Sequence, residues 1–233
     1  MAKKNNQKEE GIEFLENPEI LASKTEEFFN DKKNQTYVFG IGGVLLALVA
    51  VFFAYKYYIT NQNKEAQEEM FQAVFYFEAD SLGKALNGDG INYGFLDIIS
   101  DYSGTDAANL ASFYAGATYM QLGDFSSAVR YLEDFSGDDY LVQARAYALV
   151  GDANMELGDF AAAAKAYDKA ASYNSNKQFS PIYLQKKGIA LENDGKYAEA
   201  AKAFGTIIEK FAGSSLEQEA KKQKARLEGL AAQ

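Results

Sequence analysis

Cysteine, histidine and tryptophan are absent from this 233-residue sequence, and proline occurs only twice, at Pro18 and Pro181. Without cysteine there is no disulfide and no thiol nucleophile, so stability rests on packing alone. Without either cysteine or histidine, the usual zinc ligand sets and every histidine-based catalytic triad are excluded. Carboxylates remain, in the pairs Glu68-Glu69, Glu133-Asp134 and Asp138-Asp139. Neighbours on a helix point about 100° apart, so such pairs do not converge on one substrate. We therefore expect no catalytic residue, no metal and no cofactor. Positive charge is also scarce: 23 Lys and Arg stand against 33 Asp and Glu, and the part after Tyr58 carries −9 of the net −10. A nucleic-acid partner would be repelled by that field. Scarce proline together with abundant alanine favours helix following helix, and the expected class is all-α.

What the sequence does have is one long apolar run, YVFGIGGVLLALVAVFFAYKYY, at Tyr37–Tyr58. Tyr37 to Tyr55 is free of charge, and a helix of that length spans roughly 28 Å, close to the hydrocarbon thickness of a bilayer. Lys56 can snorkel to the headgroups, and Tyr55, Tyr57 and Tyr58 form an aromatic anchor. A cleaved signal peptide is disfavoured, because the preceding 36 residues are long and acidic and no Ala-x-Ala site follows. Lys32 and Lys33 lie against the run on its N-terminal side, whereas only Lys56 and Lys64 follow closely on the other. The positive-inside rule then places the N-terminus in the cytoplasm. Gly40, Gly43, Ala47, Ala50 and Ala54 recur at spacings of three and four, a small-residue face suited to packing on another membrane helix.

The sequence divides into a head at 1–36, the membrane helix at 37–58, a helix pair at 59–108, a repeat region at 109–213 and a capping helix at 214–233. In the head, the first ten residues are polar and read as disordered. Asn17-Pro18-Glu19 reads as a helix start, followed by an amphipathic face of Ile20, Leu21, Thr25, Phe28 and Phe29. No glycine or proline interrupts the chain between Gly43 and Gly83, so the membrane helix is expected to continue into the body. Ala66, Met70, Phe71, Val74, Phe75 and Phe77 form an expected apolar face, extended by Leu82, Ala85 and Leu86. Asn87-Gly88-Asp89-Gly90 reads as a turn. A calcium loop is excluded, since the EF-hand register puts Ala85 and Leu96 at ligand positions. A second helix is expected to carry Ile91, Phe95, Ile98, Ile99 and Tyr102.

Leu122-Gly123-Asp124-Phe125 recurs as Leu157-Gly158-Asp159-Phe160, and loosely as Asp194-Gly195-Lys196-Tyr197. The glycines are 35 and 37 residues apart. Gly116, Gly151 and Gly188 keep this register, as do Ala128, Ala163 and Ala200, and Leu132, Tyr167 and Phe204. Each column has a physical role. The turn glycine joins two antiparallel helices, the following aromatic plugs the space between them, and the small residues permit close crossing. One hairpin cannot bury its own apolar face, so neighbours stack. This pattern resembles the tetratricopeptide repeat. It departs from it at Ser112, Tyr147 and Leu184, where a large aromatic is usual, and in having the inter-repeat proline only at Pro181. A loop at Asn174–Ser180 accounts for the longer spacing, and Ser214 is expected to cap a last helix at Leu216–Leu230.

The resemblance implies that the first helix of each pair lines a groove. By register, Phe113, Met120, Gln121, Arg145, Asp152, Glu156, Gln185, Glu192 and Asn193 would face a peptide or protein segment there. The order of head, single span and repeat body further resembles the YfgM family of ancillary Sec translocon subunits. Tyr102-Ser-Gly-Thr, Ser180-Pro181-Ile-Tyr-Leu and Phe211-Ala-Gly-Ser-Ser-Leu are similar to that family. The resemblance implies a single-pass inner-membrane protein of a Gram-negative cell with a periplasmic body. It also implies association with SecYEG and a PpiD-type periplasmic foldase, near emerging secreted chains. An envelope-assembly or cell-division scaffold unrelated to Sec is the alternative.

Overall fold

The computed structural model describes residues 18–233, and among them the secondary structure is helical, without a strand. The expectations for the first ten residues and for Asn17 lie outside the described residues. The chain divides into two units, Met1–Tyr58 and Ile59–Gln233.

In the first unit, α1 spans Pro18–Asn30, and Asp31 separates it from α2, Lys32–Glu78. The Asp31 carboxylate accepts from the Lys33 amide at 2.8 Å, which satisfies a donor that the first turn of a helix leaves open. Phe28 and Phe29 of α1 are exposed. An 18-residue stretch of α2 has a mean hydropathy of 2.4 and buries none of its residues. Among the described residues, α2 is the one helix long and apolar enough to cross a membrane.

The second unit contains the remainder of α2, then α3 (Leu82–Asn87), α4 (Phe95–Asp101), α5 (Asp106–Leu122), α6 (Phe125–Asp134), α7 (Tyr140–Glu156), α8 (Phe160–Ser172), α9 (Ser180–Asn193), α10 (Tyr197–Lys210) and α11 (Glu217–Ala231). Within this unit α2 buries Ala66, Met70 and Ala73 beside Phe95, Ile98 and Ala111. Phe95 stacks on Tyr114 at 5.2 Å, and Phe77 meets Tyr114 edge-on at 5.5 Å. Asn63 of α2 accepts from the amide of Ala107 at the start of α5, where Thr105 accepts from Ala108.

Several local expectations are corrected. Phe71 and Phe75 are 73% and 55% exposed. The buried stripe runs Ala66, Met70 and Ala73, with half-buried Phe77 packed against the same cluster, and a helix packed on one side covers only about 100° of its circumference. Leu82, Ala85 and Leu86 do not continue α2. It ends at Glu78, Asp80 takes a left-handed φ of 56°, and a separate short helix follows. Ile91 lies outside α4 and is 89% exposed. The turn between α3 and α4 is organised by Asp89, which accepts from the amides of Ile91 and Asn92 and from the Tyr76 hydroxyl. These donors, the Asn92 amide foremost, hold its carboxyl below the usual carboxylate range. Ser214 does not cap α11. Leu216 occupies that position without a side-chain bond, and the Ser214 hydroxyl is buried without a partner among the described residues. The Glu217 carboxylate instead accepts from the Gly213 amide.

Candidate protein-binding site

Each hairpin, α5–α6, α7–α8 and α9–α10, is closed in the same way. Gly123, Gly158 and Gly195 take φ values of 78°, 76° and 72°, which glycine adopts without the steric cost other residues meet. The next amide, on Asp124, Asp159 or Lys196, bonds back to the carbonyl of Tyr119, Asn154 or Leu191. Asp124 and Asp159 also cap the second helix by accepting from Ser127 and Ala162, whereas Lys196 provides no such cap. Two columns of the repeat turn out to be partners across each hairpin. A methyl group on Gly116, Gly151 or Gly188 would lie 2.5 Å from Leu132 Cγ, Tyr167 Cε1 or Phe204 Cε2 respectively. The large residue of the second helix thus rests where the first helix has no side chain.

Each second helix packs on the next first helix, and ion pairs add links between the first helices and onward to α11. Asp152 on α7 receives Lys186 Nζ of α9 at 2.6 Å and the Tyr167 hydroxyl at 2.7 Å. Burial first, and then the bond to Asp152, push the Tyr167 phenol well above its usual range. Glu192 on α9 takes a two-pronged contact from Arg226 of α11, at 2.7 and 2.6 Å. That guanidinium holds the Glu192 carboxyl below its ordinary range.

The nine expected groove positions therefore fall into different environments. Phe113 and Met120 are half-buried and pack against the cluster around Leu132 and Leu149, with Phe113 also meeting Phe135 at 5.4 Å. Asp152 and Glu192 are half-buried and engaged between helices. Gln185 is half-buried, and Gln121, Arg145, Glu156 and Asn193 are exposed. Ile182 and Ile189, 41% and 43% exposed, share a face of α9 with Gln185. The sequence reading passed over them, although their i, i+7 spacing around Gln185 signals one apolar strip. The small-residue positions Gly40, Gly43, Ala47, Ala50 and Ala54 are all exposed on α2.

Two family models, each described as tetratricopeptide repeat, match the chain, one over residues 115–178 and the other over 183–214. Tetratricopeptide repeats are present in this protein. No match to a curated protein is found. The matched stretches include the turn glycines Gly123, Gly158 and Gly195 and the paired columns described above, so the repeats indicate a scaffold for protein–protein interaction.

Proposed function

We propose that the protein is a membrane-tethered interaction scaffold whose repeat body receives a segment of a partner protein. The reading rests on one observation: an apolar 18-residue stretch that buries none of its residues precedes three stacked hairpins in the same chain. α2 crosses the inner membrane once, with Lys32 and Lys33 on the cytoplasmic side and the repeats in the periplasm. Its small-residue face, open at Gly40 and Gly43, docks on another membrane helix. The groove lies along Gln121, Arg145, Glu156, Gln185 and Asn193, with Ile182 and Ile189 supplying apolar contact. Resemblance to the YfgM family supports a place beside SecYEG with a PpiD-type foldase.

The test is affinity purification of the full-length protein in mild detergent, with partners identified by mass spectrometry. Translocon subunits and a periplasmic foldase are expected. Division or outer-membrane assembly factors in their place would overturn the Sec reading while leaving the scaffold. Replacing Ala47 and Ala50 with Leu should weaken recovery of membrane partners, and Arg145→Glu that of groove partners. Orientation is tested separately. The chain has no cysteine, so a single Ser136→Cys substitution reports cleanly to a membrane-impermeant maleimide added from the periplasmic side.

A further inference from the structure

We propose that the cleft between the first and second repeats is a second docking site, on the opposite side of α7 from Arg145, Asp152 and Glu156, and that it takes an extended acidic peptide segment of a partner protein. The cleft encloses about 540 Å³, within the range of ligand-binding pockets. Its floor is one stripe of α7, Gln143, Tyr147, Val150 and Asn154. At about 100° per residue this stripe lies half a turn round the helix from Arg145 and Asp152. The two faces of α7 are therefore separate sites, and this inference does not rest on the groove.

Two nearly buried amide side chains mark the ends of the floor. Gln143, 3% exposed, accepts from the Gly137 amide at 2.6 Å through Oε1. Asn154, 9% exposed, donates through Nδ2 to the Val150 carbonyl at 2.8 Å. Among the described residues, neither Gln143 Nε2 nor Asn154 Oδ1 has a hydrogen-bond partner. One is a donor and the other an acceptor, the complement of a peptide carbonyl and a peptide amide. Eleven residues of helix separate them by about 16 Å, the reach of roughly five extended residues. Tyr147 and Val150 lie between them as an apolar bed.

The walls add charge and rigidity. Lys165 and Lys169, one turn apart on α8, line one side and form no ion pair among the described residues, although Lys169 lies 5.7 Å from the centre of the Tyr147 ring. Glu133 stands on the other wall, so an acidic side chain is directed to the α8 side. The rim is fixed in advance. Asn109 bonds both the amide and the carbonyl of Ser136, and Tyr173 donates to the Gly137 carbonyl. A preformed rim spares the ordering cost of binding.

The repeat register explains why the cleft is here. The position of Asn154 is held by Tyr119 in the first repeat and Leu191 in the third. Tyr119 stacks on Tyr131 at 5.4 Å, and Leu191 is buried. The shorter, polar Asn154 leaves the space unfilled. One junction further on, Lys187 stands at the register of Val150 and pairs with Asp168 at 2.6 Å.

The test uses full-length protein in detergent micelles and fluorescence anisotropy with a fluorescein-labelled Glu-Val-Thr-Val-Glu amide, against its Lys-Val-Thr-Val-Lys counterpart. Saturable binding of the acidic peptide is expected, at least about tenfold tighter than the basic one. Asn154→Tyr, which fills the cleft as the first repeat does, should weaken it at least about tenfold. The exposed pair Lys165→Glu and Lys169→Glu should do the same without touching the core, which covers the case in which Asn154→Tyr fails to fold. Arg145→Glu should leave binding unchanged. Absence of saturable binding, equal affinity for the basic peptide, or binding retained in the folded cleft variants would overturn the proposal. Loss of binding in Arg145→Glu alone would assign the peptide to the opposite face and overturn it as well.

Discussion

The two junctions between successive repeats share one register and differ in how they close. At the second, Asp168 and Lys187 bridge α8 and α9, and Ser180 and Leu191 are buried on α9. At the first, the corresponding positions are Glu133, Val150, Gln143 and Asn154. No ion pair spans that seam among the described residues, and α6 has 10 residues where α8 has 13. The first cavity is about 540 Å³ and the second about 250 Å³. Backbone geometry is thus set by the repeat. A few side chains, and the length of one second helix, decide whether a seam is sealed or open.

Gly151→Ala and Gly188→Ala should have the largest effect. Alanine gains about 1 kcal/mol of helix propensity over glycine. Against this, the new methyl would overlap an aromatic ring at several atoms, with contacts from 2.5 Å, and overpacking typically costs ~1–3 kcal/mol. Both rings are held, Tyr167 by its bond to Asp152 and Phe204 by burial to 2% exposure. The clash therefore wins, and melting followed by circular dichroism should drop by several degrees in each. Gly116→Ala meets the buried Leu132 at Cγ, 2.5 Å, and at its backbone nitrogen, 3.1 Å, so it should lose stability too, but less, because a branched aliphatic side chain yields more easily than a rigid ring. Equal losses at all three glycines would show that ring rigidity is not what separates them.

Asp152→Ala should follow, at about 1–2 kcal/mol, because it leaves both the hydroxyl of the buried Tyr167 and the Lys186 ammonium without their acceptor. Asp168→Ala at the neighbouring bridge removes a pair whose carboxylate side chain is 57% exposed, and the change should stay within ~0.5 kcal/mol. Urea denaturation of the two variants side by side checks the ranking. A larger loss at Asp168 would mean that the exposed bridge, not the Asp152 node, holds the second seam.

The repeat was legible in the sequence because its columns answer to steric demands that few residues meet. A left-handed turn selects Gly123, Gly158 and Gly195, and a helix crossing without room for Cβ selects Gly116, Gly151 and Gly188. The continuation of the apolar helix into the second unit was legible for the same reason, since no glycine or proline interrupts it before Gly83. Phe71, Phe75 and Ile91 misled because hydrophobicity is one-way evidence: a folded surface still carries many apolar side chains. Ser214 misled because a capping side chain in sequence does not fix where the first turn begins. The links Asp152–Lys186 and Glu192–Arg226 each join residues 34 apart, and a pattern read along single helices does not contain them. The cleft had a trace in the register, where Asn154 breaks a column of large residues. Its opening also depends on where α6 ends, which periodicity does not fix.

The smallest expected effect lies at the third seam, where α11 seals the stack through Arg226 and Glu192. Their side chains are 45% and 28% exposed, so solvent and salt screen the pair. Its signature is a pH dependence. Bonds from Arg226 lower the Glu192 carboxyl from its ordinary 4.5. A depressed carboxyl stabilises the fold above that ordinary value, and the contribution fades as the pH falls through the lowered one. Arg226→Ala should therefore melt below the unmodified protein at neutral pH. The gap should close as both are taken to more acidic pH, and it should narrow in high salt. A gap that persists unchanged in acid would assign the role of Arg226 to the packing of its aliphatic stem against α9, and the third seam would then be sealed by contact area and not by charge.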